Sequence, residues 1–307
     1  MDILIFIVSM GALIYGADFI IEQSEKIALK YNISNFVIGA TLVALGTSLP
    51  EMAVSISASF KGSADIAVAN VIGSTIFNIS LVLGVTFLIA KKIAPDRDLF
   101  AKDSAWALFP ILIFVLMGID GKLNMVDGIL FLILMAGYLT FLISSNQVDE
   151  VDEDLAKDEF SWPKSVALLL VGFAFVIGGA DFAIDSAGNI ARDFGISEWV
   201  IGLFLVAFGT SLPELMISIK SALRNNADLA IGNIIGSNVA NFTMVLGLAS
   251  IVNPLNVDLT GNFFDIAAAF IASIMLVFIT ANRLYNKSAG IALMVILALV
   301  IQNSLTA

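Results

Sequence analysis

Two copies of one hexapeptide carry the chemistry of this sequence: Gly46-Thr47-Ser48-Leu49-Pro50-Glu51 and Gly209-Thr210-Ser211-Leu212-Pro213-Glu214. Proline has no N–H, and its ring clashes with the carbonyl four residues back, here Gly46 or Gly209, so a helix through it must kink or break. Thr47 and Glu51 are four apart and Ser48 and Glu51 three apart, so two hydroxyls and a carboxylate share one helix face. With the carbonyls freed by the break they form a cluster of hard oxygen donors, and Thr210, Ser211 and Glu214 repeat it. Further along, Ser74 and Asn78 lie four apart on one face, as do Ser237 and Asn241. Gly73 lets another helix approach closely. Carboxylates, hydroxyls, amide carbonyls and backbone oxygens suit a hard cation, and Ca²⁺ takes about 6–8 oxygen ligands in flexible geometry. No soft ligand is present to favour a transition metal.

These residues have to be held inside a membrane. Of 307 residues, 59% are hydrophobic and 13% charged, whereas soluble domains carry roughly 25% charged residues. Apolar runs recur at 2–24, 34–60, 65–90, 103–119, 124–143, 164–190, 197–222, 228–252, 262–281 and 286–305. Each is near the ~20 residues a helix needs to cross the hydrocarbon. They lack the apolar–polar alternation of membrane β-strands, so the chain reads as an all-α integral membrane protein of about ten helices. Cysteine and histidine are absent, which excludes a disulfide scaffold, a thiol nucleophile and a Cys/His zinc site. The start, Met1-Asp2-Ile3-Leu4, has no basic region and reads as the first retained helix.

With the N-terminus outside, twelve Lys and Arg fall on the inner side and three (Lys61, Lys122, Arg192) on the outer. That bias predicts both termini outside. It puts the loop holding Asp149, Glu150, Asp152, Glu153, Asp154, Asp158, Glu159 and Lys157 in the cytoplasm. This loop reads as a solvated linker, because it lacks the spaced Asp/Asn/Gly pattern of an EF-hand.

Shifting the sequence by 163 residues lays Gly16–Gly84 over Gly179–Gly247 without a gap, with about half the positions identical. Asn70 falls on Asn233, Ser74 on Ser237 and Asn78 on Asn241. Five spans separate equivalent points, an odd number, so the second copy must be inverted. The organisation is residues 1–145, a linker at 146–163, and an inverted repeat at 164–307. Inverted repeats build many secondary transporters, with the site at the repeat interface near the bilayer midplane. Keeping a carboxylate at that depth costs at least ~2.5 kcal/mol, and two symmetric ones call for a cation site.

Asp18 and Asp181 are equivalent acids of the first helix in each half, suited either to anchoring at the interface or to lining an ion path. Asp65 and Asp228 stand at the start of the third helix of each half and read as helix-start caps.

The duplicated Gly-Thr-Ser-Leu-Pro-Glu motifs, each followed by Asn-x-Ile-Gly-Ser-x-x-x-Asn, resemble the two alpha-repeats of the cation/calcium exchanger superfamily, most closely its prokaryotic Na⁺/Ca²⁺ exchanger branch. The resemblance implies ten helices, with ions held among interrupted helices 2, 3, 7 and 8, and helices 1 and 6 sliding across them. It implies that Glu51 and Glu214 are the central Ca²⁺ and Na⁺ ligands. Thr47, Ser48, Ser74, Thr210, Ser211 and Ser237 would serve mainly Na⁺, the carbonyls of Ala44 and Ala207 would contribute, and Asn78 and Asn241 would complete the site. Potassium-dependent and some archaeal members carry Asp where Asn241 stands, so transport without K⁺ is expected, from a site of formal charge −2 rather than −3. The proton/calcium branch has Gly-Asn-x-Pro-Glu at the first motif, and the Gly-Thr-Ser-Leu-Pro-Glu here favours sodium. An H⁺/Ca²⁺ antiporter using the same glutamates remains the alternative. Na⁺ and Ca²⁺ are then transported substrates, with no cofactor, no nucleic acid, a lipid bilayer as surroundings and a monomer as the working unit.

Overall fold

A computed structural model describes residues 2–90, 93–145, 160–193 and 207–306. The acidic linker and the first part of the seventh span lie outside the described residues. The protein is an all-α integral membrane protein. Its helices are α1 (Asp2–Tyr31), α2 (Asn35–Thr47), α3 (Leu49–Phe60), α4 (Ala64–Ile89), α5 (Leu99–Met117) and α6 (Met125–Ser144) in the first repeat. The second repeat holds α7 (Trp162–Asp193), α8 (Ala207–Thr210), α9 (Leu212–Leu223), α10 (Ala227–Val252), α11 (Phe263–Ala281) and α12 (Lys287–Thr306). Among the described residues eight helices are long and apolar enough to cross a membrane, and α2 with α3 forms a ninth span bent by 45°.

The bend sits where the sequence puts it. Ser48 leaves helical geometry (φ −82°, ψ 5°) and α3 restarts with Pro50 in its first turn, where the missing N–H costs nothing. Ser211 and Pro213 repeat the break with φ −90° and ψ 1°. The helices expected as the third and eighth spans, α4 and α10, are interrupted differently. They stay continuous, but each contains a π-helical segment, Phe77–Leu83 and Asn241–Val245. A third lies at Gly39–Val43 in α2. Such segments concentrate at functional sites, because the widened turn re-aims side chains and carbonyls.

The inverted duplication shows in backbone detail: Gly62 (φ 72°) and its repeat mate Asn225 (φ 61°) both end their helices in left-handed geometry. Ser34 accepts the Val37 N–H and Asn226 the Leu229 N–H as N-caps. A two-stranded ladder, β1 (Lys122–Leu123) against antiparallel β2 (Leu255–Asn256), links the two repeats with Lys122 opposite Asn256.

α10 is the axis of the bundle: every residue of Ala227–Ala240 is buried. Close packing rests on small residues. A Cβ on Gly236 would stand 2.4 Å from the Ala40 carbonyl, and one on Gly39 would stand 2.7 Å from the Leu229 carbonyl, so α2 and α10 meet backbone to backbone. α1 and α7 pair likewise, Gly16 against the Gly172 carbonyl. At Gly73, no described residue comes within 4 Å of that position.

Candidate functional site

The broken ends of spans 2 and 7 meet the middles of α4 and α10. In α2, Thr47 Oγ1 donates to the Ala44 carbonyl (3.2 Å) and approaches Ser237 Oγ and Asn233 Oδ1 of α10 (both 3.4 Å). Ser237 Oγ in turn lies 3.5 Å from both the Ala44 carbonyl and Glu214 Oε1. The Glu214 carboxyl is flanked by Thr47, Ser237 and Ser48, and that of Glu51 by Glu214, Thr210 and Ser74. Each carboxylate is thus surrounded by hydroxyls of the opposite repeat as well as its own. Glu51, Glu214, Thr47, Ser48, Ser211, Ser237, Asn78 and Asn241 are all fully buried, and Ser74 is 3% exposed. Ala207 opens α8, one turn before Thr210.

Buried polar atoms normally find partners. Among the described residues, Glu51 Oε1 and Oε2, Glu214 Oε2, Ser48 Oγ, Ser211 Oγ, Thr210 Oγ1, Asn78 Oδ1 and both polar atoms of the Asn241 amide have none. Each such group costs about 1–3 kcal/mol when left unsatisfied. Among the described residues no lysine or arginine forms an ion pair with either glutamate. The unpartnered set is all oxygen apart from one amide nitrogen, and it includes both carboxylates.

The motifs contain these supporting residues but give no sign of their partners. Asn70 Nδ2 donates to the Glu51 backbone carbonyl (3.1 Å) and to Ser55 Oγ (2.9 Å); its mate Asn233 donates to Ser218 Oγ (3.2 Å). The repeat alignment paired Asn70 with Asn233 but offered no role for either. Asn238, at a variable position of the second motif, accepts from Asn78.

The four other acids lie apart from this cluster. Asp18 forms salt bridges with Lys220 and Arg224 at the end of α9, while Asp181 is exposed on α7. Asp65 and Asp228 sit inside the first turns of their helices rather than before them. Asp228 is no cap: Asn226 fills that position, and the Asp228 carboxylate accepts the N–H groups of Asp96 (2.8 Å) and Arg97 (3.2 Å). Helix-start polarity could not distinguish a cap from a clamp on a loop 131 residues away.

The model of the family described as sodium/calcium exchanger protein matches residues 1–144 and 164–305. The chain belongs to the sodium/calcium exchanger family. It is 41% identical over 271 residues to an uncharacterized membrane protein of Methanocaldococcus jannaschii, covering 88% of this chain and 87% of that one. It is 30% identical over 344 residues to the sodium/calcium exchanger MaX1 of Methanosarcina acetivorans, covering 95% of each. The solved sodium-calcium exchanger NCX_Mj superposes with a TM-score of 0.85 at 37% identity over 98% of both chains. An exchanger-family fold and a paired-glutamate oxygen cluster are therefore found in one molecule.

Proposed function

We propose that the protein is a secondary active antiporter that exchanges Na⁺ for Ca²⁺ across the membrane by alternating access, without K⁺. The observation that carries this reading is the pair of fully buried, symmetry-related glutamates, three of whose four carboxyl oxygens have no hydrogen-bond partner among the described residues, inside a ring of hydroxyls and amides. Glu51 and Glu214 act as the central ligands for both ions. Thr47, Ser48, Ser74, Thr210, Ser211 and Ser237 serve mainly Na⁺, the carbonyls of Ala44 and Ala207 add backbone oxygen, and Asn78 and Asn241 complete the set. With Asn rather than Asp at 241, the site carries two formal negative charges, matched by one Ca²⁺.

Two carboxylates facing each other at low dielectric repel strongly when ionised. The carrier crosses between faces only when cations neutralise them, and competition for the same oxygens couples the two fluxes. The protein lies in the cell (inner) membrane as a working monomer, both termini outside and the acidic linker cytoplasmic. Because the chain has no cysteine, single cysteines placed in residues 146–159 and near the termini test that topology with a membrane-impermeant thiol reagent.

The deciding experiment is ⁴⁵Ca²⁺ uptake into proteoliposomes loaded with Na⁺, with and without external Na⁺ or K⁺, beside a pH gradient alone. Uptake that needs internal Na⁺ and ignores K⁺ supports the proposal. Uptake driven by the pH gradient alone assigns the coupling ion to the proton. Glu51→Gln or Glu214→Gln should abolish exchange; robust exchange in either variant removes these residues from the site.

A further inference from the structure

Asn78 and Asn241 are repeat mates, yet their amides are held differently. Asn78 Nδ2 donates to Asn238 Oδ1 at 3.1 Å across the interface between α4 and α10, leaving Asn78 Oδ1 buried with no partner. Among the described residues both polar atoms of the Asn241 amide are unpartnered. The difference traces to sequence. The repeat mate of Asn238 is Thr75, whose hydroxyl is spent on the Val71 carbonyl of its own helix (2.9 Å). Asn238 itself is 7% exposed.

From this we infer that Asn238 is a positioning residue that fixes the Asn78 amide with its carbonyl oxygen turned into the cation site. An amide turned the other way would present N–H donors, which repel a cation, and without a fixed partner both orientations are open to it. Asn78 is thereby a preorganised neutral oxygen ligand, whereas Asn241 turns to suit the ion. The second repeat supplies the anchor and the first repeat the anchored ligand. This makes the two halves chemically unequal despite their duplicated motifs, and gives one ligand position that does not adapt between Na⁺ and Ca²⁺. The inference rests on the cation-site reading above.

The test uses the full-length protein in proteoliposomes, measuring KM and kcat of Na⁺-dependent ⁴⁵Ca²⁺ uptake. Asn238→Leu keeps the volume but removes the acceptor; loss of a partner that orients a ligand typically weakens metal sites ten- to a hundredfold. We expect the Ca²⁺ KM to rise about tenfold with kcat retained. Asn238→Asp keeps an acceptor oxygen in place and should hold KM at or below that of the parent chain. In an Asn78→Leu background, Asn238→Leu should add nothing further, the signature of a residue acting through another. A parent-like KM in Asn238→Leu, or effects that simply add to those of Asn78→Leu, overturns the inference. Should Asn238→Leu melt well below the parent in detergent, Asn238→Ser, too short to reach Asn78, takes its place with the same expected rise. Persistence of exchange in Glu51→Gln would instead strike the site assignment, so the two failures are distinguishable.

Discussion

Asn70 shows how far the position of a buried glutamate depends on a residue outside the carboxylate and hydroxyl cluster. One amide nitrogen spans the Glu51 carbonyl and Ser55 Oγ, fixing the turn that carries Glu51 against α4. Asn70→Ala leaves the fold but releases that turn, and the Ca²⁺ KM should rise about tenfold, measured by ⁴⁵Ca²⁺ uptake; an unchanged KM would show that the turn needs no such tie. A different residue-scale network lies beside the start of α10, where Asp228 accepts the Arg97 N–H. The buried guanidinium of Arg97 is forked onto Asp103 (2.7 and 3.1 Å), donates to the Ser145 carbonyl and hydroxyl, and lies 4.6 Å from the centre of the Phe36 ring. Asp103→Ala strands that charge, and stability in detergent should fall by about 3 kcal/mol. Adding Arg97→Met should recover most of the loss, since the uncompensated charge is then gone.

At the scale of elements, the two Leu-Pro-Glu breaks and the α2–α10 contact matter most. Pro50→Ala restores the N–H that could bond back to Gly46 and close the break. Transport should fall sharply while thermal stability holds or rises; full activity would mean the break survives without proline. Gly236→Ala presses a methyl to within 2.4–2.7 Å of Ala40 backbone atoms, which a rigid helix pair cannot absorb. Both the melting temperature and exchange should drop, as a cost of overpacking.

For the whole molecule, the asymmetry between repeats bears on how faces are exchanged. Asp18 of α1 pairs with Lys220 and Arg224. The mates of these three are Asp181, Ser57 and Lys61, and among the described residues Asp181 makes no ion pair. An inverted-repeat carrier moves one bundle against the other around a fixed site, so an ion pair made on one face alone favours the state in which it forms. Partly exposed pairs of this kind are worth up to ~1 kcal/mol. Asp18→Asn should shift the balance of states about fivefold, read as altered labelling of single cysteines introduced on either side of the site. Unchanged labelling would show that the pair contributes no bias.

The sequence by itself determined the membrane class, the duplication and the two breaks, while helices such as α1 run several residues past their apolar stretch. All three are local properties: apolar run length, a proline without an N–H, and identity at a fixed shift. It also named the oxygen-bearing residues, because the motifs repeat and their chemistry is plain. Only the tertiary structure decided that α4 and α10 are interrupted by π segments rather than bends, that Asp228 clamps a distant loop, and that Asn70, Asn233 and Asn238 hold the site's framework. Those roles depend on partners brought together by packing, up to 160 residues away in the case of Asn78 and Asn238. A side chain's own position carries no record of which atom folding will place 3 Å from it.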